Sequence, residues 1–306
     1  MSAYDLCRSI RLSVAEAAIL ATRVGELSLG LKRLSLDVAI TLSKHRGGLS
    51  LSKLTNLSDA AAKALANYDG PVSLGGMPNI SVTAALSLAT HKGPLSIRVV
   101  SLSKAAAEGL AEHKGELYLD LRRSLSAPAA EALSHHHGNL RLSGQNVLSD
   151  APGHVALAYK LAECPGGLEL RDLTQLSESA AAALATHSGD LILPRVRQLS
   201  EGAIEALAKH QGRLMLGLQS LSDTAIEFLV AHEGDLDISD VISLSPAAIE
   251  CLAKRQGITR LPGWPQMSRE AFSSTRPRSH SYVHIKDEFS RLRSSSPNHV
   301  PGSPNL

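Results

Sequence analysis

Aromatic residues are scarce in this chain, which has three Phe, five Tyr and one Trp among 306 residues. Aromatic side chains contribute the largest burial per residue, so a core with few of them must be filled by smaller groups. Hydrophobic residues nevertheless make up 43% of the chain. That fraction allows a sizeable core and argues against global disorder, and the abundance of Leu and Ala indicates what fills it.

Three further features are missing. No apolar run approaches the roughly 18 residues of a membrane span, and the N-terminus has no signal-peptide layout. The net charge of +2 is too balanced to predict a nucleic-acid partner. Cys7, Cys164 and Cys251 are an odd set without the paired spacing of a metal site, which favours a reducing compartment over a disulfide framework. We therefore expect a cytoplasmic protein that binds neither membrane nor nucleic acid.

Internal repetition is the dominant feature. A Ser that follows Leu or Ile recurs eleven times, at Ser13, Ser35, Ser58, Ser81, Ser103, Ser126, Ser149, Ser177, Ser200, Ser222 and Ser245. Successive spacings are 22 or 23 residues, except for one of 28 between Ser149 and Ser177. A Gly lies 12 residues after the Ser in ten of the eleven repeats. Two markers that stay in phase over such a length indicate a solenoid.

Each repeat divides into a helix and a strand. In the repeat at 102–124, Ser103 is suited to cap a helix, and Gly115 is suited to end it in a left-handed conformation. Leu117 and Leu119 then alternate with polar residues, which is typical of a strand. Between cap and Gly the apolar residues form one helical stripe, made of Ala106, Ala107, Leu110 and Ala111. We expect a helix of about ten residues in each repeat.

The predicted fold class is therefore α/β. A helix between successive strands makes them parallel with right-handed crossovers, giving a right-handed α/β solenoid of about eleven strand-turn-helix repeats. We expect a parallel sheet on one face, on the order of 50 Å long, and helices on the other. The solenoid is predicted over 1–262 with an N-terminal cap at about 1–12, then a degenerate capping segment at 263–289 and a disordered Ser/Pro-rich tail at 290–306.

The repeated strand pattern resembles the leucine-rich repeat family, in the ribonuclease-inhibitor-like style, and most of all its short, Ala-rich bacterial repeats of about 23 residues. The matching Leu-x-Leu pairs include Leu27/Leu29, Leu49/Leu51, Leu117/Leu119, Leu140/Leu142, Leu168/Leu170, Leu191/Leu193 and Leu214/Leu216. The resemblance implies a non-catalytic interaction scaffold. One departure concerns the Asn that usually follows the strand, because its place is taken here by Leu54, Met77, Leu173, Val196 or Val241. Horseshoe curvature is therefore not expected from the family.

Seven histidines share one place in the repeat, ten residues after the Ser: His45, His91, His113, His136, His187, His210 and His232. Stacked repeats would align them, and a row of imidazoles could bind metal. The interpretation we prefer is structural, with each imidazole bonded to carbonyls at a helix C-terminus. Successive residues of a helix point about 100° apart, so the run 135–137 cannot converge on one ion. We predict no catalytic residue, metal ligand or cofactor. The alternative is a metal-binding or enzymatic protein that uses this row or the irregular C-terminal segment.

The residues that vary between repeats are more informative about binding. Strand positions 15 and 17 residues after each Ser point away from the core, and they carry small side chains in the first four repeats. In the middle repeats they carry residue types favoured at interfaces. The predicted partner-binding residues are Arg98, Tyr118, Asp120, Arg141, Glu169, Arg171, Ile192 and Met215. The alternative is a solvated face with internal ion pairs. We expect a protein partner and a monomeric chain.

The seventh repeat carries five extra residues between Ser149 and Gly166. We expect them to lengthen or displace one helix, because insertions in solenoids fall on one face. Cys251 is expected to be a semi-buried small hydrophobe.

Overall fold

A computed structural model describes residues 11–255, 257 and 259–261. Eleven helices and thirteen strands alternate in this range. The helices are α1 Val14–Ala21, α2 Leu36–Leu42, α3 Asp59–Ala66, α4 Val82–Ala89, α5 Lys104–Ala111, α6 Ala127–Ser134, α7 Pro152–Ala162, α8 Glu178–Leu184, α9 Glu201–Ala208, α10 Asp223–Val230 and α11 Pro246–Leu252. The strands are β1 Leu27–Ser28, β2 Leu49–Leu51, β3 Val72–Met77, β4 Leu95–Val99, β5 Leu117–Leu121, β6 Leu140–Ser143, β7 Val147–Leu148, β8 Leu168–Glu169, β9 Gln175–Leu176, β10 Leu191–Leu193, β11 Leu214–Leu216, β12 Leu236–Asp237 and β13 Thr259–Arg260.

The predicted α/β solenoid is confirmed. Neighbouring strands are parallel, and equivalent residues of successive repeats stand opposite each other, as Leu95 does to Leu117. Leu side chains from the strands and Ala or Leu side chains from the helices form one continuous buried cluster. The small helix residues allow the helices to lie close to the sheet, which explains how a core can form with few aromatic rings.

The expectation of one uninterrupted sheet was wrong. Strands β1 to β6 form a six-stranded sheet, whereas β8 and β10 to β13 form a separate five-stranded sheet. At the seventh repeat β7 pairs with β9 instead, in a two-stranded sheet. Three of the five extra residues lie in α7, which has eleven residues, and the other two precede it, because its N-cap is Ala151 rather than Ser149. The other helices have seven or eight residues rather than the expected ten or so. Strands β6 and β8 are not paired.

The repeat Ser occupies the N-cap position as predicted, with one exception. The N-cap residue is the repeat Ser for every described helix except α7, where it is Ala151. The expected cap at Ser149 was therefore wrong, because Pro152 starts α7 late. The Ser149 hydroxyl donates instead to Nδ1 of His154 at 2.8 Å.

The caps provide a matched pair of variants. The Ser103 hydroxyl accepts a hydrogen bond from the backbone N–H of Ala106, whereas the Ser126 side chain makes no capping bond. We expect Ser103→Ala to lower the free energy of unfolding by about 1 kcal/mol and Ser126→Ala to lower it distinctly less. Urea unfolding of both variants measures the difference, and equal losses would contradict a capping role for the Ser103 hydroxyl.

The repeated glycines have a different cause from the one predicted. Helix α5 ends at a C-cap, Glu112, in the right-handed helical region, and Gly115 does not have a positive φ. The glycines are needed because the turns of successive repeats stack closely: a Cβ on Gly138 would lie 2.1 Å from the carbonyl oxygen of Gly115. At the equivalent point of the repeat a positive φ occurs at Gly25, Gly47, Gly166 and Gly257.

The positions where the family usually has Asn are apolar and buried, as at Leu54 and Val241, which are at most 1% exposed. The turns satisfy their backbone locally, since the N–H of Leu54 donates to the carbonyl of Leu51 at 3.3 Å and that of Val241 to Ile238 at 3.2 Å. No side-chain ladder is needed at these turns.

Several predicted segments lie outside the described residues: most of the N-terminal cap at 1–12, the capping segment at 263–289 and the tail at 290–306. Within the described part of the chain, no helix has both the length and the apolar character needed to cross a membrane.

Candidate interaction surface

The first sheet brings four of the predicted binding residues together. In β5 the side chains of Leu117, Leu119 and Leu121 are buried, so Tyr118 and Asp120 face outward. Strand register places Tyr118 opposite Arg141 and Asp120 opposite Arg98. We call these four residues the central patch.

Side chains of the central patch are paired with one another and with their surroundings. Arg98 forms an ion pair with Asp120. Nε of Arg141 lies 3.2 Å from a carboxylate oxygen of Glu116, and the hydroxyls of Tyr118 and Ser143 lie 3.1 Å apart. The pairing that we considered as an alternative is thus present. The patch still presents polar and aromatic surface, because the Arg141 side chain is 67% exposed and Tyr118 is 37% exposed.

Of the other four predicted residues, Glu169, Ile192 and Met215 lie on the second sheet, whereas Arg171 lies in the turn after β8 and not on a strand as predicted. Register places Ile192 between Glu169 and Met215, and Arg171 donates to Glu169 at 2.8 Å. That hydrogen bond raises the pKa of the Arg171 guanidinium. Ile192 and Met215 are half-buried. Because β6 and β8 are not paired, the predicted set forms two groups rather than one cluster.

One feature of the exposed face was missed by sequence reasoning. Asp237, on β12, is opposite both Met215 and Arg260 in register, and its side chain is only 6% exposed. Arg213 and Arg260 each approach the same Asp237 oxygen at 3.3 Å. The signal available was an acid that follows the apolar Ile192 and Met215 at the same strand position, but its two partners depend on how arginine side chains cross between repeats.

The histidines form two buried rows. The first row is His45, Tyr68, His91, His113 and His136, and the second row is His187, His210 and His232, with each of these residues at most 2% exposed. Neighbouring rings are stacked with centroids 6.1 to 6.5 Å apart. Cys164, in the lengthened repeat, stands between the two rows in sequence.

Four of the seven imidazoles lie within hydrogen-bond distance of carbonyl oxygens of the preceding repeat, those of His45, His136, His187 and His210. Nε2 of His45 lies 2.9 Å from the Gly25 oxygen, and Nδ1 of His187 lies 2.9 Å from the oxygen of Ala162, the last residue of α7. Helix-terminal carbonyls are thus acceptors, as predicted, but they belong to the neighbouring repeat rather than to the same one. Each row therefore fastens one repeat to the next.

The rows do not form a metal site of ordinary geometry. Stacked rings present their faces to one another, so their nitrogens point away from the stacking axis and do not converge on a common centre. Among the described residues, no group of three or more His, Cys, Asp or Glu is placed to hold a metal ion.

Three features are established for the described residues. The strands have Leu-x-Leu patterns, they pair in parallel one repeat apart, and every repeat contains a helix. The chain has the α/β solenoid architecture that the leucine-rich-repeat resemblance implied. No protein-family model matches this chain, and no curated protein does so. Among solved structures, it is similar to a leucine-rich-repeat protein of Leptospira interrogans, with 17% identity, a TM-score of 0.27, and coverage of 84% of this chain and 88% of that one. The architecture is therefore assigned from the repeats themselves.

Proposed function

We propose that this protein is a non-catalytic scaffold that binds a protein partner through the exposed face of its parallel sheet. The carrying observation is Tyr118, a ring 37% exposed on a strand with Arg141 opposite it in register. Tyr and Arg are enriched among the residues that dominate binding energy at interfaces. A rigid strand also holds such groups with little ordering cost on binding.

Two features support the rest of the proposal. The central patch belongs to the same sheet as a region of small outward side chains, where Ser50 and Ser73 are opposite each other. These small side chains present no steric barrier to a partner. Cys164 and Cys251 are free and half-buried, with Cys251 packed against the core as predicted, which agrees with a reducing, cytoplasmic setting. We propose that the chain acts as a monomer.

The test is affinity capture with purified full-length bait. The double variant Tyr118→Ala with Arg141→Ala is expected to lose captured partners, and the affinity of an identified partner should fall by about 30-fold or more. Neither side chain belongs to the buried core, so the circular dichroism spectrum should not change.

The matched control is Ser50→Ala with Ser73→Ala, on the same face of the same sheet. It should capture the same partners as the wild-type protein. Unchanged binding by the Tyr118/Arg141 variant would reject this surface as the binding site.

A further inference from the structure

The two histidine rows concentrate ionisable groups inside the protein. His91, His113 and His136 are at most 2% exposed, and adjacent ring centroids are 6.1 to 6.2 Å apart. In the second row, His210 lies 6.3 Å from His187 and 6.2 Å from His232. Protonation would place cations next to one another at these distances in a buried setting, where their repulsion is weakly screened.

The charged side chains outside the rows that act directly on row imidazoles are cations. Lys160, on α7, acts on His136 and opposes its protonation. Arg255, after α11, does the same to His232. Asp235 interacts with Arg255 and favours its charged form, although burial lowers the pKa of Arg255 to about 10. The first row also contains the neutral phenol of Tyr68, which lies between His45 and His91.

The imidazole pKa values follow this environment. Burial lowers the pKa of His91, His113 and His136, and the neighbouring charge of His113 lowers it further at the other two positions. Burial also lowers the pKa of His210 and His232. In the unfolded chain these groups titrate near pH 6.5, so below that pH the unfolded state binds more protons than the folded state. Stability is full above about pH 6.5 and falls as the pH decreases towards the folded-state pKa values.

We propose that the two histidine rows are a pH-sensitive element, which makes mild acidification below about pH 6.5 unfold the repeats that they hold together. The element is cooperative, because each imidazole stacks on a ring of a neighbouring repeat and each repeat contacts only its neighbours. It is separate from the exposed sheet face and does not depend on what binds there.

Tyr68 shows how to design the test. It occupies a row position, stacks between His45 and His91, and its hydroxyl donates to the Gly47 oxygen at 2.7 Å. Tyrosine is therefore an accepted member of the row that does not titrate near pH 6. Replacing His91, His113 and His136 with Tyr should remove their proton linkage while keeping the stacking along the row.

Urea unfolding of the full chain at about pH 8 and about pH 5.5 measures the effect. The folding equilibrium constant of the wild-type protein should fall by about tenfold for each imidazole that stays neutral when folded, and the triple Tyr variant should lose about three of those factors. Tyr68→His should instead add one. The Ser103→Ala variant, less stable but with no titrating group changed, should keep the wild-type pH dependence.

The proposal is overturned if the wild-type equilibrium constant is the same at both pH values, or if the Tyr variants keep the full wild-type dependence. Should the triple variant fail to fold, His113→Tyr alone and Tyr68→His alone provide the comparison, since they are expected to change the dependence by about tenfold in opposite directions. NMR titration of the folded protein adds an independent readout, in which the imidazole signals of His91, His113, His136, His210 and His232 should shift at a pH below the 6.5 of an unfolded imidazole.

Discussion

Replacing His113 and His136 together with alanine is expected to lower the free energy of unfolding by about 5 kcal/mol at about pH 8, where the imidazoles are neutral. The change removes two buried rings from the middle of the first row and leaves cavities beside their stacking neighbours. It also removes the His136 imidazole, whose Nδ1 and Nε2 lie 3.3 Å from the carbonyl oxygen of Ala111 and 3.2 Å from that of Gly115. Urea unfolding measures the loss.

The matched control changes the two histidines that flank His136. His135 and His137 are exposed, and their joint replacement by alanine should change the free energy of unfolding by no more than about 0.5 kcal/mol per site. Metal analysis accompanies both variants, and the metal content should be the same in each. A bound metal that is lost with His113 and His136 would contradict the structural role of the row, as would equal losses of stability in the two double variants.

The solenoid could be predicted because its order is local. Each repeat contacts its neighbours and little else, so the pattern within one unit, from Ser103 to Leu119, describes the whole architecture. The repeated Ser and Gly located the repeats correctly, even though the predicted reason for the Gly was wrong. Gly138 was correctly placed at a turn, but the reason is the carbonyl oxygen of Gly115 against it, a contact between repeats that no single repeat encodes.

The insertion in the seventh repeat could be located from the sequence, but its structure could not be predicted. A spacing of 28 residues marks an insertion, yet Ser149 resembles every other capping serine. Three of the extra residues extend α7, which starts at Pro152, a residue suited to a first helical position, and Gly153 lets the helix pack against α6. The absence of pairing between β6 and β8 is not encoded in the spacing of the repeats.

The exposed face was predicted more reliably than its interactions. Strand alternation fixes which side chains point outward, so the positions of Tyr118 and Arg141 followed from counting. Their neighbours did not, because Glu116, the partner of Arg141, precedes the strand and is reached by a long, flexible side chain. The same limit applies to Asp237 and its two arginines.

The packing of α7 against α6 yields the second large effect. A Cβ on Gly153 would lie 2.0 Å from the carbonyl oxygen of Ala127, which is backbone and cannot rotate away. Gly153→Ala should therefore push α7 from α6 and lower the free energy of unfolding by about 3 kcal/mol. Thermal and urea unfolding measure the loss, and hydrogen exchange should show it first in the amides of α6 and α7.

Gly202 is the matched control, since it is also the second residue of a helix, α9. A Cβ there would meet a carboxylate oxygen of Glu178 at 2.2 Å, but that side chain is flexible and can move. Gly202→Ala should gain helix propensity and leave the protein unchanged or more stable by up to about 1 kcal/mol. If both variants behaved alike, the tight contact at Gly153 would not be what holds the lengthened helix in place. The different changes in stability expected for Gly153→Ala and Gly202→Ala follow from one difference, which is whether the obstructing atom belongs to the backbone or to a movable side chain.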